Sequence, residues 1–205
     1  MTGPIFSENR ILENDRVRLR PLQEDDYENL LPFAINEPDI WQFSMQQVGN
    51  PEGMKTYING AVQNRKENKE YSFIIFDKKA NAYAGSTRFY DIQENNLTTQ
   101  LGYTWYGKAF QRTGLNRNCK FLLLQFAFEE WGLERVEFRA DANNNRSIEA
   151  MKGIGCTVEG ILRNHMPTYT GKRRDSIVLS ILKQEWFEKV KELLANKIYN
   201  DTSRL

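Results

Sequence analysis

A chain of 205 residues is long enough to form one domain with a sizeable buried core. Hydrophobic residues make up 40% and charged residues 27% of it, which is typical of a globular protein and argues against disordered and fibrous classes. The formal net charge of +1 favours neither nucleic acid nor a membrane surface as a partner, so any anion-binding site must be local.

Signals for membranes and metals are missing from the sequence. No run approaches the ~20 apolar residues that cross a bilayer, and the N-terminus lacks a basic segment followed by an apolar one, so we expect a cytoplasmic location. Cys119 and Cys156 lie in apolar sequence without a CxxC pattern, which predicts buried thiols. A single histidine, His165, cannot supply a multi-histidine site, so we expect no metal.

The first half of the chain predicts one strand, two helices and a β-hairpin. Val17 and Leu19 alternate with arginines, which indicates a half-buried strand ending at Pro21. The helix that follows should be interrupted or kinked near Pro32, because proline removes a backbone donor. The predicted helices cover residues 24–36 and 52–68, and the hairpin strands cover residues 71–77 and 82–92.

The second half predicts four strands and three helices. A broad apolar stripe indicates a long helix over residues 114–131, ended by Gly132 in the left-handed conformation. Asn144, in an asparagine tract, offers an N-cap for a short helix over residues 147–154, which Gly155 closes. The other predicted segments are strands at 97–107, 135–141, 156–166 and 175–182 and a helix at 184–198.

Simple alternation assigns the side chains of the strand at 97–107 to two faces. One face should carry Thr99, Leu101, Tyr103 and Trp105, and the other Gln100, Gly102, Thr104 and Tyr106. The whole order of elements, β-α-α-β-β-β-α-β-α-β-β-α, predicts an α/β fold with helices on both faces of a mixed sheet. We expect a lead-in over residues 1–14, a single domain over residues 15–198 and a tail over residues 199–205.

The loop QRTGLN, at residues 111–116, lies between a predicted strand and the long helix. A helix that begins there would direct its unpaired N–H groups and the positive end of its dipole at one point, where an anion would bind. The sequence contains neither GxxxxGK[S/T] nor GxGxxG after a strand, so the common nucleotide-binding fingerprints are missing.

This loop, the NNRS segment at residues 144–147 and the IGC segment at residues 154–156 resemble the ordered motifs of the GNAT superfamily of acyl-CoA N-acyltransferases. The loop signature of that family is Q/RxxGxG/A. Together with the EG, LR and GKRRD segments that follow, they resemble the RimJ/RimL-type branch, which acetylates protein N-termini and assorted small amines. The resemblance covers roughly residues 15–195. It implies a single-domain GNAT-like fold, with a mostly antiparallel sheet of about seven strands and a central parallel pair.

The resemblance also implies acetyl-CoA as the acyl donor and indicates where it binds. In the family the pantetheine arm lies in a gap between two parallel strands, here Gly102–Tyr106 and Arg135–Asp141. The pyrophosphate would meet the N–H groups of Arg112–Asn116, with Gln111 orienting the turn and Gly114 allowing close approach of the backbone. The implied cofactor-binding residues are Trp105, Tyr106, Gln111, Arg112, Thr113, Gly114, Leu115, Asn116, Asn144 and Ser147.

Two residues depart from the family pattern. Asn116 stands where glycine or alanine is usual, and Met151 stands where several relatives carry a tyrosine that protonates the leaving thiolate. Ser147 is then the implied thiolate-side donor, although it and Asn144 could equally cap the helix that starts there. The candidates for a catalytic base are Glu94, Tyr103, Tyr106, His165 and Asp175.

These features predict an acetyl-CoA-dependent N-acetyltransferase that moves the acetyl group directly to an amine by general acid/base catalysis, without a covalent enzyme intermediate. The acceptor stays open between a protein N-terminus and a small amine such as a polyamine, an amino acid or an antibiotic. Arg173 or Arg174 could steer a carboxylate-bearing acceptor or lie in a solvated turn. The alternatives are a non-catalytic acyl-CoA-binding or interaction module and a nucleotide-binding regulator, and a homodimer is expected only by analogy with the family.

Overall fold

The computed structural model describes residues 6–202, and over these residues eight strands form one mixed sheet. The strands are β1 Leu12–Glu13, β2 Val17–Pro21, β3 Tyr71–Asp77, β4 Ala82–Gln93, β5 Thr98–Tyr106, β6 Arg135–Asp141, β7 Thr157–Pro167 and β8 Arg173–Leu182. Their order across the sheet is β1-β2-β3-β4-β5-β6-β8-β7. Neighbours are antiparallel except β5 and β6, which are parallel, so the predicted mixed sheet with a central parallel pair is confirmed.

The expected number of about seven strands is wrong by one, because the stretch described as a lead-in contains β1. Leu12 pairs with Leu19 and Glu13 with Arg18. A strand of two residues carries no alternation of its own, and only its pairing with β2 identifies it. Residues 1–5 of the lead-in and residues 203–205 of the tail lie outside the described residues.

Six helices are present over the same residues: α1 Tyr27–Asn36, α2 Pro51–Lys66, α3 Leu115–Gln125, α4 Asn145–Gly153, α5 Lys183–Glu185 and α6 Lys191–Thr202. A π-helical turn at Phe126–Glu130 prolongs α3, and another at Trp186–Val190 joins α5 to α6. α1 runs through Pro32 without the expected interruption. None of these helices is both long and apolar enough to span a bilayer.

The helices lie on both faces of the sheet, as predicted, and enclose two separate cores. The larger core contains buried side chains of α3, α4 and α6, such as Leu123, Ile148 and Leu194. The smaller core lies under α1 and α2 and includes Leu30 and Ile58. Hydrophobic burial on both faces accounts for the nearly continuous apolar run of β3.

A β-bulge interrupts β5. Arg88 of β4 pairs with Gly102 and Ser86 pairs with Trp105, so two residues of β5 oppose one residue of β4. Tyr103, inside the bulge, has a positive φ of 49°. The extra residue inverts the alternation beyond it: Leu101 packs in the larger core but Trp105 packs in the smaller one. The predicted common face for Leu101 and Trp105 is therefore wrong.

The parallel pair opens into a cleft just beyond this point. β5 and β6 are paired only at Thr98↔Arg135, Thr99↔Val136 and Gln100↔Glu137. The following residues of β5 pair with β4 alone, and Phe138–Asp141 pair with β8 alone. The inner edges of the two strands thus diverge with unpaired backbone groups, as the resemblance implied for this part of the sheet.

Candidate active site

A cavity of about 820 Å³ begins where β5 and β6 part and extends through the sheet. One end lies at the start of α3, and the other lies against the aromatic side chains of the smaller core. Its wall includes the β5 stretch Gly102–Tyr106, the β6 stretch Phe138–Asp141 and the start of α4 at Ser147. A chain-like ligand could therefore enter along the strands and present its end to a second molecule on the opposite side.

The loop at residues 111–116 is fixed by the side chain of Gln111. Its Nε2 donates to the Tyr106 carbonyl at 2.9 Å, and its Oε1 accepts from Arg146 Nη1 at 2.7 Å. Gln111 consequently ties the end of β5 and the first turn of α4 to the loop. This is the orienting position that the sequence assigned to it.

The backbone of the loop leaves several donors unused at the start of α3. Gly114 is the N-cap of α3 and has a φ of 82°, while Arg112 has a φ of 62°. The N–H groups of Arg112, Thr113, Gly114 and Asn116 have no acceptor within residues 6–202. Because the helix dipole adds positive potential here, the loop fits an anionic group such as a phosphate.

A cation beside the loop is already paired. Arg117 Nη1 contacts Asp201 Oδ1 of α6 at 2.6 Å, and both side chains are partly exposed. The same carboxylate lies over Gly114, where an added Cβ would stand 2.9 Å from Asp201 Oδ2. The end of α6 therefore borders the proposed anion site.

The other cofactor candidates of β5 and α3 point in different directions. Tyr106 donates its hydroxyl to Asn116 Oδ1 at 3.1 Å, so the asparagine that departs from the family pattern anchors this ring. Trp105 lies across the sheet and donates Nε1 to the Tyr57 hydroxyl at 3.3 Å. Leu115 is buried in the larger core, which leaves only its backbone for a ligand. Thr113 donates its hydroxyl to the Phe110 carbonyl at 2.8 Å and lies outside the cavity wall.

The two tyrosines considered for catalysis are held in their neutral form. Burial raises the pKa of Tyr106 well above its ordinary value. Tyr103 lines the cavity at the bulge, where its ring centroid lies 5.0 Å from that of Tyr90 and 4.3 Å from the guanidinium carbon of Arg88. Burial raises the pKa of Tyr103 as well. Neither hydroxyl is consequently suited to accept a proton; that of Tyr103 is suited to donate a hydrogen bond, whereas that of Tyr106 already donates to Asn116.

Asn144 and Ser147 have different roles at the first turn of α4. Asn144 Oδ1 accepts from the Ser147 backbone N–H at 3.1 Å and so caps the helix, as predicted. The Ser147 hydroxyl lines the cavity and has no hydrogen-bond partner among the residues that the structure describes. Met151, one turn later, is buried in the cavity wall and presents a thioether there.

Three of the candidate bases lie away from the cavity wall. Glu94 is on an exposed 3₁₀ turn, and Asp175 accepts from the Asn164 backbone N–H at 2.7 Å. His165 Nδ1 lies 3.0 Å from Ser176 Oγ, and burial with nearby arginines lowers the pKa of His165. Arg174, by contrast, lines the cavity and donates Nε to Ser176 Oγ at 3.2 Å.

The buried lysine of the site, Lys120 on α3, is not among the candidates that the sequence offered. Its side chain is only 5% exposed, lines the cavity and donates Nζ to Thr104 Oγ1 at 2.9 Å. Burial lowers the pKa of Lys120 to about 8. A lysine inside the apolar run CKFLLLQFAF was the signal that could have identified it.

Comparison with known proteins agrees with this geometry. Residues 16–157 match the acetyltransferase (GNAT) domain. A Bacillus subtilis (strain 168) protein provisionally named as the ribosomal N-acetyltransferase YdaF is 27% identical over 180 residues, which cover 84% of this chain and 94% of that protein. The matched domain covers well over half of the chain, so it decides the family.

Solved structures share the fold over most of the chain. A GCN5-related N-acetyltransferase from Brucella melitensis superposes with a TM-score of 0.84 at 24% identity, covering 93% of this chain and 86% of that one. A ribosomal-protein-S5-alanine acetyltransferase from Vibrio fischeri gives a TM-score of 0.71 at 19% identity, covering 86% and 98%. The resemblance to the ribosomal-protein acetyltransferase-like branch is thus confirmed, and the chain belongs to the GNAT family of acetyltransferases.

Proposed function

We propose that this protein is an acetyl-CoA-dependent N-acetyltransferase that moves an acetyl group directly onto an amine. The observation that carries the proposal is one continuous cavity with an uncapped helix start at one end and a splayed parallel strand pair along its side. That combination fits a long anionic carrier that ends in a small reactive group. Acetyl-CoA supplies the acetyl group as a thioester.

The residues present fit two parts of acetyl-CoA, its pyrophosphate and its pantetheine arm. The free N–H groups of the loop would bind the pyrophosphate, with Gln111 holding the turn; they belong to Arg112, Thr113, Gly114 and Asn116. The unpaired inner edges of Gly102–Tyr106 and Phe138–Asp141 would hydrogen-bond the pantetheine amides in the manner of an added strand. Asn144 supports this site indirectly, because its side chain caps the first turn of α4.

The opposite end of the cavity would receive the amine. Its wall includes Trp41 and Tyr57 on one side and Asp91 and Arg174 at the rim, so both an ammonium and a carboxylate find complementary charge. Gln100, whose buried Oε1 has no donor among the described residues, also lines the cavity. The candidate acceptors remain a protein N-terminus and a small amine, and the Bacillus relative named as a ribosomal N-acetyltransferase favours a ribosomal acceptor.

Direct transfer is favoured over a covalent enzyme intermediate because neither cysteine near the cavity is an activated nucleophile. Cys119 and Cys156 are buried, and burial raises the pKa of both thiols to about 12. Ser147 lines the cavity, and its hydroxyl, which has no partner among the described residues, is suited to hydrogen-bond the sulfur. Tyr103 is placed at the bulge, where its neutral hydroxyl could donate to developing negative charge.

The proposal is tested by release of free CoA thiol from acetyl-CoA in the presence of an amine panel. The panel contains peptides with free N-termini, polyamines, amino acids and aminoglycosides, and calorimetry compares the binding of CoA with that of ATP. Acceptor-dependent thiol release is expected. CoA binding without release across the panel would instead support a non-catalytic binding module, and binding of ATP but not CoA would contradict the proposal.

The role of Ser147 has its own test within that assay. Ser147→Ala should lower kcat by about tenfold or more, because a positioned donor typically contributes a factor of this order or greater. Ser7→Ala, at an exposed serine outside the cavity wall, is the matched control and should leave kcat within about twofold of the wild type. An unchanged kcat in Ser147→Ala would assign Ser147 to helix packing alone.

A further inference from the structure

Lys120 is a buried cation that the proposed function has not used. It is the sixth residue of α3, about 7.5 Å along the axis from the helix start, so it lies too deep to belong to the phosphate loop. Its Nζ is bonded to Thr104, in the unpaired stretch of β5, and lies 5.6 Å from the ring centroid of Phe138. Phe138 is the first residue of β6 beyond the last pair with β5. The ammonium therefore sits between the two strands where they part.

No carboxylate neutralises this ammonium. Lys120 has no ion pair within residues 6–202, and Thr104 Oγ1 is its single hydrogen-bond acceptor there. The titratable groups that face it are Cys119 on its own helix and Cys156 before β7, both of them neutral thiols at physiological pH. A buried lysine with donors to spare fits a ligand group that carries or develops negative charge.

The position of Lys120 in the gap between β5 and β6 restricts which group of a bound ligand it can contact. If acetyl-CoA binds as proposed, its phosphates lie at the start of α3 and its amides are neutral. The sulfur is then the atom in the gap that becomes negative as the acetyl group departs. We infer that Lys120 is the proton donor to the leaving thiolate of CoA, an assignment that rests on the proposed function.

The chemistry balances without a further reactant. The acceptor nitrogen forms its bond to the acetyl carbon, the carbon–sulfur bond breaks, and its electron pair goes to sulfur. Lys120 gives one Nζ proton to the sulfur, the acceptor nitrogen loses its extra proton to water, and water returns a proton to the Lys120 amine. Proton transfer is nearly balanced in energy, since the pKa of Lys120 is lowered to about 8 and a free thiol has a pKa of ~8.5.

Lys120 and Ser147 can be distinguished by their chemistry. A serine hydroxyl can hydrogen-bond a thiolate but holds its own proton at neutral pH, whereas an ammonium can give its proton away. Met151, in the same wall, can do neither. Substitution of Lys120 should consequently change the ionisation of a bound thiol, which substitution of Ser147 should change far less.

The test follows the thiol of CoA itself, so that no acceptor is needed. CoA is bound to the wild type, to Lys120→Met and to the control Lys152→Met, whose lysine is exposed on α4 and pairs with Glu149. Thiolate absorbance in the ultraviolet is recorded against pH for each complex and for free CoA. In the wild type and the control, the thiolate fraction of bound CoA should be about tenfold higher than that of free CoA at the same pH. This corresponds to a thiol pKa that is lower by about one unit. In Lys120→Met this shift should disappear.

Two further results decide the inference. With an acceptor from the panel, Lys120→Met should lower kcat about a hundredfold while changing KM for acetyl-CoA by less than about threefold. Incubation with acetyl-CoA alone should leave the mass of Lys120 unchanged, and acetylation of Lys120 would make it a nucleophile and overturn the assignment. An equal thiol shift in the wild type and Lys120→Met would overturn it as well. Failure of the wild type to bind CoA would instead overturn the proposed function, and this role with it.

Discussion

The two ends of the cavity are built in opposite ways. The cofactor half, formed by residues 111–116, the start of α3 and the gap between β5 and β6, holds unpaired N–H groups, positive φ angles and the buried ammonium of Lys120. The acceptor half is formed by the aromatic cluster of Phe33, Trp41, Tyr57 and Trp105. Its rings pack edge to face, with centroids 4.7 Å apart for Trp41 and Trp105 and 5.5 Å apart for Phe33 and Trp105.

This difference shows that the cofactor half favours ligand binding at the expense of folding stability. Unpaired donors and a buried charge destabilise the free protein, but they are ready for an anionic ligand without rearrangement. The aromatic cluster stabilises the fold, and its buried Trp41 Nε1 is the exception that lacks an acceptor among the described residues. Substitutions in the cofactor half should therefore change CoA binding, whereas substitutions in the acceptor half should change stability and leave CoA binding unchanged.

The largest effect is expected from Lys120→Met. The pKa of Lys120 is lowered from 10.5 to about 8 in the folded chain. At pH 7 both states carry the proton and the folded state bears the cost of burying it, so the variant should be more stable by up to about 3 kcal/mol. Between pH 8 and 10.5 the unfolded chain binds more protons than the folded one, and the wild type should regain this stability as pH rises. Urea unfolding of both proteins at several pH values measures the difference, and a difference independent of pH would contradict it.

Tyr57→Phe should destabilise the acceptor half by about 1–3 kcal/mol, because Trp105 Nε1 would lose its acceptor in a buried place. Affinity for CoA should stay within about twofold of the wild type, since the cofactor half is untouched. Thermal unfolding and calorimetry with CoA measure the two quantities. Tyr27→Phe, which removes an exposed hydroxyl 3.5 Å from the Pro51 carbonyl, is the control and should change neither. A loss of CoA affinity equal to the loss of stability would show that the halves are not independent.

Gly114→Ala should weaken CoA binding about tenfold and lower stability by about 1–2 kcal/mol. Gly114 has a φ of 82°, which costs an alanine this much, and the added Cβ would crowd Asp201. Gly60→Ala on α2 is the control, because no heavy atom lies within 4 Å of its added Cβ. It should stabilise the protein by about 0.4–1 kcal/mol and leave CoA binding unchanged. Equal effects of the two substitutions on the calorimetric affinity for CoA would contradict the proposal that the loop at residues 111–116 binds CoA.

Asp201→Asn should give the smallest change, a gain in CoA affinity of about two- to fivefold at low salt. The substitution releases Arg117 from a partly exposed ion pair and removes a negative charge from beside the phosphate site. The gain should fade as salt screens the charges. Asp39→Asn, which breaks the exposed pair with Lys108, should have no such effect. A loss of CoA affinity would mean that the ion pair between Arg117 and Asp201 holds the loop in position, rather than competing with CoA for Arg117.

Periodicity and helix-end chemistry predicted most of the fold and the framework of the cofactor half. The apolar stripe located α3, and Gly132, with a φ of 77°, follows the π-helical turn that prolongs it. Asn144 caps α4 as its position suggested, because a side chain next to a helix start needs only local sequence to act. The roles of Gln111 and Gly114 came from the family resemblance of the loop, and their part in cofactor binding stays a prediction.

Tertiary contacts decided what the sequence did not show. The bulge at Tyr103 arises from pairing with β4, and it inverted a face assignment that alternation alone had made. The burial of Lys120 depends on Thr104 and Phe138, which lie on two strands brought together by the fold. β1 is recognisable only by its partner β2.

The short parallel contact between β5 and β6 has a mechanical consequence. Over residues 6–202, the strands β1–β5 form one half-sheet from the N-terminal part of the chain, and β6, β8 and β7 form another from the C-terminal part. Three residue pairs are the sole strand pairing between the half-sheets. The pairing closes one end of a V-shaped gap, so no backbone hydrogen bond between β5 and β6 fixes the width of the cleft beyond Gln100 and Glu137. A ligand that bridges both edges would complete the sheet and stiffen the molecule as a whole.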